Sequence, residues 1–237
     1  MGRRSARVEE GAFVVEGPGL IAQAAASGWD LEAVFVSAGE WSYTPPEGVA
    51  VFELAPKVME RVASTDAPQA AIAVARRRCA PISSLDAATF VLVGDRISDP
   101  GNAGTMLRSA EAAGADAVVF TEGSVDVFNP KVVRSSAGAL FHVPVITDVT
   151  LEAVLALSHL RSFGATSHVA AQSQPHTASD FGVPIAIVVG NEAHGLAPDT
   201  AVDAWVTIPH AGRAESLNVA MAATVLVFEV VRQRTAG

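Results

Sequence analysis

Glycine, acid, amide and hydroxyl residues crowd two short stretches late in the chain: Gly190-Asn191-Glu192-Ala193-His194-Gly195-Leu196, and the run from Ile208-Pro209-His210 through Gly212-Arg213-Ala214-Glu215-Ser216-Leu217-Asn218. The first follows a strand-like run, Val183 to Val189, and the second opens a long apolar helix. Both therefore fall where strands end and helices begin, the usual ligand edge of an α/β protein. The glycines let backbone approach a flat ligand, and Glu192 reads as a positioned carboxylate or a helix-start charge. His194 could act as a base, but the six histidines are scattered without ligand spacing or a triad order. Ser216 reads as a helix cap, which leaves Asn218 just inside the helix without a capping role.

A third constellation lies earlier, Asp95-Arg96-Ile97-Ser98-Asp99-Pro100-Gly101-Asn102-Ala103-Gly104-Thr105-Met106-Leu107-Arg108. Asn102 reads as the N-cap of a helix. Arg108, among Met106, Leu107 and Ala110, calls for an anionic partner. Helical spacing puts Thr105 beside it, so a phosphate could meet both the helix start and the guanidinium. A rival site, Gly17-Pro18-Gly19-Leu20-Ile21-Ala22 with Glu40 downstream, approximates the G-x-G-x-x-A dinucleotide fingerprint and would make the chain an oxidoreductase. Pro18 removes an amide that the pyrophosphate needs, so a tight turn into a helix fits better.

The elements that must position these groups read as α/β throughout. Strands are expected at 12–15, 33–36, 49–52 and 70–75, with helices at 18–27 and 56–63. Polar, proline-containing sequence follows, giving a division into a domain at 1–78, a linker at 79–85 and a domain at 86–237. In the second part, strands at 90–93, 117–120, 143–146, 163–167 and 185–189 alternate with helices at 103–113, 130–137 and 151–159, which implies a parallel sheet. The last helix, 216–234, is apolar on nearly all sides, so its sheet and a second subunit are expected to cover it.

With 237 residues, half of them apolar, the chain can bury one large core or two modest ones. A net charge of −9 argues against non-specific binding to nucleic acid, although a local basic face survives such a sum. Basic residues cluster at Arg3, Arg4 and Arg7, at Arg76 to Arg78, and at Lys131 with Arg134, either as solvated surface or as such a face. Cys79 is the only cysteine, which excludes a disulfide framework or thiolate metal site and points to a cytoplasmic home. The longest apolar stretch, 217–231, carries Asn218 and Glu229 and is too short for a membrane span.

Taken together, the three motifs resemble the SpoU (TrmH-like) family of RNA ribose 2′-O-methyltransferases, in the SPOUT superfamily. Asn102 and Arg108 match the first family motif, Gly190 to Leu196 the second, and Ile208-Pro209 with Ser216-Leu217-Asn218 the third. Gly11 to Gly17 and Thr65-Asp66-Ala67-Pro68-Gln69 are similar to the small RNA substrate-binding domain of many members. The resemblance implies a parallel-sheet SPOUT domain with a C-terminal trefoil knot and S-adenosyl-L-methionine as cofactor. It assigns Gly190, Asn191, Gly195, Ile208, Pro209 and Leu217 to the cofactor, and Lys131, Arg134 and Ser135 to RNA. Catalysis falls to Asn102, Arg108, Glu192, Ser216 and Asn218, with Arg108 either the base or a phosphate anchor. A homodimer is implied, in which Arg108 of one subunit serves its partner's cofactor. Ribosomal RNA is expected ahead of transfer RNA as substrate, and a protein that binds RNA and cofactor without turnover is the remaining alternative.

Overall fold

The computed structural model describes residues 3–39, 44, 46–62, 69–167 and 173–235. Glu40 and the 65–68 segment lie outside them. The elements in chain order are α1 (Arg4–Glu10), β1 (Ala12–Glu16), α2 (Pro18–Ala26), β2 (Leu31–Ser37), β3 (Ala50–Leu54), α3 (Pro56–Val62) and β4 (Ala71–Arg76). There follow β5 (Phe90–Gly94), α4 (Pro100–Ala112), β6 (Ala117–Thr121), α5 (Pro130–Ser135), β7 (Val145–Val149), α6 (Leu151–Leu155) and β8 (Arg161–Ala165). The chain ends with β9 (Ser173–Pro175), β10 (Ile185–Val189), β11 (Ala204–Thr207) and α7 (Val219–Thr235).

The first four strands form a sheet of order β1-β4-β2-β3, in which β4 runs antiparallel to both neighbours. A dinucleotide fold needs β1 hydrogen-bonded in parallel to the strand after its helix, whereas here the antiparallel β4 lies between β1 and β2, which removes the fingerprint reading of Gly17 and Gly19. The other seven strands form one sheet, β7-β6-β5-β10-β8-β11-β9, with every pairing parallel. Strands β5, β6 and β10 are buried at every position, as strands covered on both faces must be. Successive connections diverge between β5 and β10, so the loops after these strands open a crevice at their carboxyl ends.

Helices α4 and α7 pack side by side, with a hydrogen bond between Ser109 and Thr224 at 2.6 Å. Arg234 at the far end of α7 donates to the carbonyls of Thr89 and Val183, just before β5 and β10. Those contacts put the start of α7 at the opposite, carboxyl edge of the sheet.

Helix α7 begins at Val219, not at Ser216. Asn218 is its cap: the side-chain oxygen accepts from the amides of Ala220 and Met221. Ser216 is exposed and caps nothing. Helix α4 likewise starts earlier than expected, with Asp99 as N-cap accepting from the Asn102 amide and Pro100 at the first helical position. Asn102 is thereby released from capping. Helix α1 and the short strands β9 and β11 carry too little apolar periodicity to be read from sequence.

The two sheets share one apolar core. Phe13 of β1 and Trp29 just before β2 meet Phe128 and Phe141, which flank α5, with ring centroids 4.8–6.3 Å apart. Trp29 Nε1 donates to the Phe141 carbonyl at 3.1 Å. Beside this cluster Arg7, only 2 % exposed, donates to Asp126 at 2.7 Å, and Asp126 also accepts from the Phe128 amide. Arg77 lies over the Phe128 ring and Arg78 over Trp29. Arg7 is thus no part of a solvated surface, and the arginines at 77 and 78 are spent largely on joining the two sheets. Arg7→Ala removes the closest cation from the buried Asp126 carboxylate, leaving Arg77 at 3.9 Å, and is expected to cost about 3 kcal/mol in a urea unfolding titration.

Candidate functional site

The loop after β10 folds back on itself. Asn191 and Gly195 form an isolated bridge, the Gly195 amide donates to the Asn191 carbonyl at 2.8 Å, and Gly195 turns with φ +65°. A side chain on Gly190 would collide with the backbone of Gly195 and Leu196, so only glycine permits this hairpin. The hairpin is tied to the loop after β5: the Asp95 amide donates to Val189, and Asn191 Nδ2 donates to the Arg96 carbonyl at 2.8 Å.

This places the Glu192 carboxylate on the first turn of α4. It accepts from the Ser98 amide (3.0 Å) and hydroxyl (2.8 Å), the Asp99 amide (2.9 Å) and Asn102 Nδ2 (3.0 Å). Asn102 in turn accepts from Asn218 Nδ2 at 2.9 Å. One hydrogen-bonded chain therefore runs Glu192–Asn102–Asn218 and joins the three motifs, with α4 and α7 both starting on it. Desolvation pushes the Glu192 carboxyl up, but donation from Asn102 and from the Asp99 and Ser98 amides outweighs it and lowers the value from 4.5 to about 2. Glu192 is an anionic anchor whose lone pairs are spoken for, and its acidity unfits it as a proton acceptor near neutral pH.

Gly190, Asn191, Ile208, Pro209 and Leu217 sit at the same edge, after β10 and β11 and just before α7. Ile208 and Leu217 are half-buried, and Ile208 packs on the main core. Glycine backbone flanked by apolar side chains and exposed main-chain polar groups suits a flat heteroaromatic ring carrying hydrogen-bonding edges. The residues present thus fit a nucleoside cofactor. Gly195 is exposed at the pair that closes the hairpin. His194 is also exposed and forms no hydrogen bond with a described residue.

Arg108 stands apart. It lies six residues beyond Asn102, about 9 Å along the axis and about 240° around it, so it faces away from the chain's own Glu192–Asn102–Asn218 relay. The sequence calls for an anionic partner for Arg108, either a carboxylate of the chain or a phosphate from outside it, and the structure supplies no carboxylate from a described residue. Arg108 instead projects from the exposed face of α4 and pairs with no described residue. Lys131, at the start of α5, lies 3.8 Å from the N-cap carboxylate of Asp99. Arg134 is half-buried on α5. Ser135 turns inward, donating to the carbonyls of Pro100 and Lys131, and so seats α5 against α4 rather than pointing outward.

Sequence reasoning missed a cleft of about 750 Å³ beyond β5 and β6, lined by Asp95, Arg96, Thr121, Glu152 and Thr200 among others. Asp95 is buried there, accepting from Thr121 at 2.8 Å and from Arg96 at 3.0 Å, and Arg96 holds φ +51°. A buried acid at a strand end was a readable signal. None of the residues expected to hold the cofactor lines this cleft.

The model of the SpoU rRNA methylase family matches residues 89–228, the whole stretch that carries the parallel sheet and the three joined motifs. The chain belongs to the SpoU family. Residues 1–73 match an MRM3-like substrate binding domain. Among relatives, the 23S rRNA (guanosine(2553)-2′-O)-methyltransferase RlmP of Bacillus subtilis is 34% identical, over 94% of this chain and 90% of its own length. The 23S rRNA (uridine(2479)-2′-O)-methyltransferase of Streptomyces viridochromogenes is 32% identical, over 100% of this chain and 88% of its own. The crystal structure of the SpoU methyltransferase AviRb from that organism, in complex with AdoMet, superposes with a TM-score of 0.88 at 30% identity, covering 100% of this chain and 95% of AviRb. The AdoMet-bound rRNA methyltransferase of Sinorhizobium meliloti gives 0.85 at 27% identity, covering 98% of this chain and 91% of the other. The mixed α/β architecture of the chain is that of these SpoU methyltransferases.

Because the Glu192 carboxyl titrates lower in the folded chain than in the unfolded one, its contribution to stability is complete above pH 4.5 and fades as pH falls toward about 2. Unfolding free energies measured across that window should therefore depend less steeply on pH in Glu192→Gln than in the parent. Gly190→Ala should open the hairpin and abolish cofactor binding in calorimetry while the strands of the sheet persist in circular dichroism.

Proposed function

We propose that the chain transfers the methyl group of S-adenosyl-L-methionine to a ribose 2′-hydroxyl of ribosomal RNA. The observation that carries this reading is the single hydrogen-bonded relay through Glu192, Asn102 and Asn218, which unites the three SpoU motifs at the carboxyl edge of the sheet. The similar proteins over nearly the whole chain methylate 23S rRNA by name, which favours ribosomal over transfer RNA.

The cofactor supplies the electrophilic methyl carbon. Gly190, Asn191, Ile208, Pro209 and Leu217 would hold its nucleoside between backbone and apolar side chains, with Gly195 shaping the hairpin and the C-terminal segment drawn into the trefoil knot of the superfamily. The ribose oxygen would attack in line: the O–C bond forms as the S–C bond breaks, the electron pair passes to sulfur to leave a neutral thioether, and the hydroxyl proton passes to solvent water. Arg108 remains protonated and acts by charge, binding a substrate phosphate and favouring the developing alkoxide. Asn102, Glu192 and Asn218 set the geometry, and Ser216, whose hydroxyl has no partner among the described residues, is free to meet the substrate. Lys131 and Arg134 line the approach of the RNA, with Ser135 holding their helix in place.

Since Arg108 faces away from the relay of its own chain, it would serve the site of a second subunit. An exposed apolar stripe on α7, Met221 (62 % exposed), Val225 and Phe228 (44 %), supports a homodimer built on this side of the molecule. Its single cysteine, Cys79, is free and exposed, in keeping with a cytoplasmic enzyme. Among the described residues no helix is long and apolar enough to cross a membrane.

Label from methyl-labelled cofactor should enter ribosomal RNA from cells lacking the modification. Arg108→Ala should lower kcat by about 100-fold or more with cofactor affinity retained, and Asn102→Ala should lower both. Phe228→Glu should yield a monomer in sedimentation, with activity lost.

A further inference from the structure

A second pocket, of about 310 Å³, lies where the two parts of the chain meet, and Gln23, Arg108, Glu111, Ser136, Ala137 and His142 are among its lining residues. Gln23 comes from α2, in the region matching a substrate binding domain, whereas Arg108 and Glu111 come from α4. The N-terminal part therefore lines one pocket together with the proposed catalytic arginine.

The walls are built rather than incidental. The end of the Gln23 side chain lies over Gly138, which turns with φ +100°, a state that favours glycine. The Gln23 carbonyl then faces His142 Nε2 at 3.3 Å, and His142 Nδ1 faces the Ser27 hydroxyl at 3.3 Å. A neutral imidazole satisfies both contacts by donating from Nε2 and accepting at Nδ1. The turn beneath holds Ala137 at φ +49°, a backbone state that residues with a side chain seldom adopt and that gathers at functional sites. Across the gap Arg108 and Glu111 have no partner among the described residues.

We propose that this pocket is an RNA subsite that takes one nucleotide next to the methylated one, with Gln23 and His142 as positioning residues. A nucleotide matches the charges: its phosphate suits Arg108, and its ribose or base hydrogens suit the Glu111 carboxylate, which would repel a bare anion. The Gln23 amide nitrogen, left free by the contact with His142, supplies a further donor. The N-terminal part thus sets which RNA segment lies on Arg108, and the rigid aromatic junction keeps that spacing fixed.

The inference rests on the reading of the chain as an RNA methyltransferase, so binding and turnover are measured separately on the full chain. The probes are an unmodified ribosomal RNA fragment, filter binding, methyl-transfer kinetics, cofactor calorimetry and thermal melting. Gln23→Met, a neutral chain of similar length, and His142→Ala should each raise the RNA Kd and KM about tenfold, leaving kcat, cofactor affinity and melting temperature near those of the parent. Gln23→Glu should weaken RNA binding further, and His142→Asn should recover part of the loss. RNA affinity unchanged in folded Gln23→Met and His142→Ala, or no RNA binding by the parent chain, overturns the subsite. RNA binding that depends on these residues without any methyl transfer supports the subsite and overturns the enzymatic reading instead.

Discussion

The Glu192 carboxylate at the head of α4 is the contact on which the rest depends. Four donors converge on it from a loop some ninety residues earlier in the chain, and an anion at a helix start is further favoured by the amides and dipole there. The hairpin that carries Glu192 exists only because Gly190 lets its backbone close on itself. Asn102 passes the tie on to Asn218, and Asn218 starts α7. One acidic side chain therefore fixes the relative placement of two helices and two strand-end loops, the elements that border the proposed methyl-transfer site.

The relay also divides the labour among charged residues. Glu192, fully hydrogen-bonded and strongly acidic, holds geometry. Arg108 is exposed and unpaired among the described residues, which leaves its charge available to an outside anion. Glu192 holds the first turn of α4 within its own subunit, while Arg108 stands on the exposed face of the same helix. The joint between the two sheets follows the same economy, since Arg7, Arg77 and Arg78 are consumed by Asp126, Phe128 and Trp29. An acidic chain that commits cations to an internal joint has fewer left to offer an outside anion, and Arg108 and Lys131 are among those still exposed.

Much of this was legible in the residues themselves. Strands β5, β6 and β10 announce themselves as continuous apolar runs, and the polar motifs marked the edge where the relay forms. The caps were misread by three residues in α4 and by two in α7. Asn102 and Ser216 are good capping residues in isolation, yet Asp99 before Pro100 was the stronger signal, and Asn218 was free to cap once the helix began later. Helix α1 escaped because its one inward residue is an arginine, Arg7, whose burial depends on Asp126 far along the chain. Strand β11 has four residues and β9 three, too few to show a period. No local rule could show that Glu192 would anchor the start of a distant helix, or that Gln23 and Arg108 would line one pocket.

The decisive measurement is a crystal structure of the chain with S-adenosylhomocysteine and a short RNA bearing the target ribose. The account predicts the nucleoside between the Gly190 hairpin, Ile208 and Leu217, and the ribose oxygen beside the Asn102–Asn218 pair with Arg108 of a second subunit on its phosphate. A cofactor lodged in the Asp95–Thr200 cleft, or a ribose distant from every copy of Arg108, would contradict it.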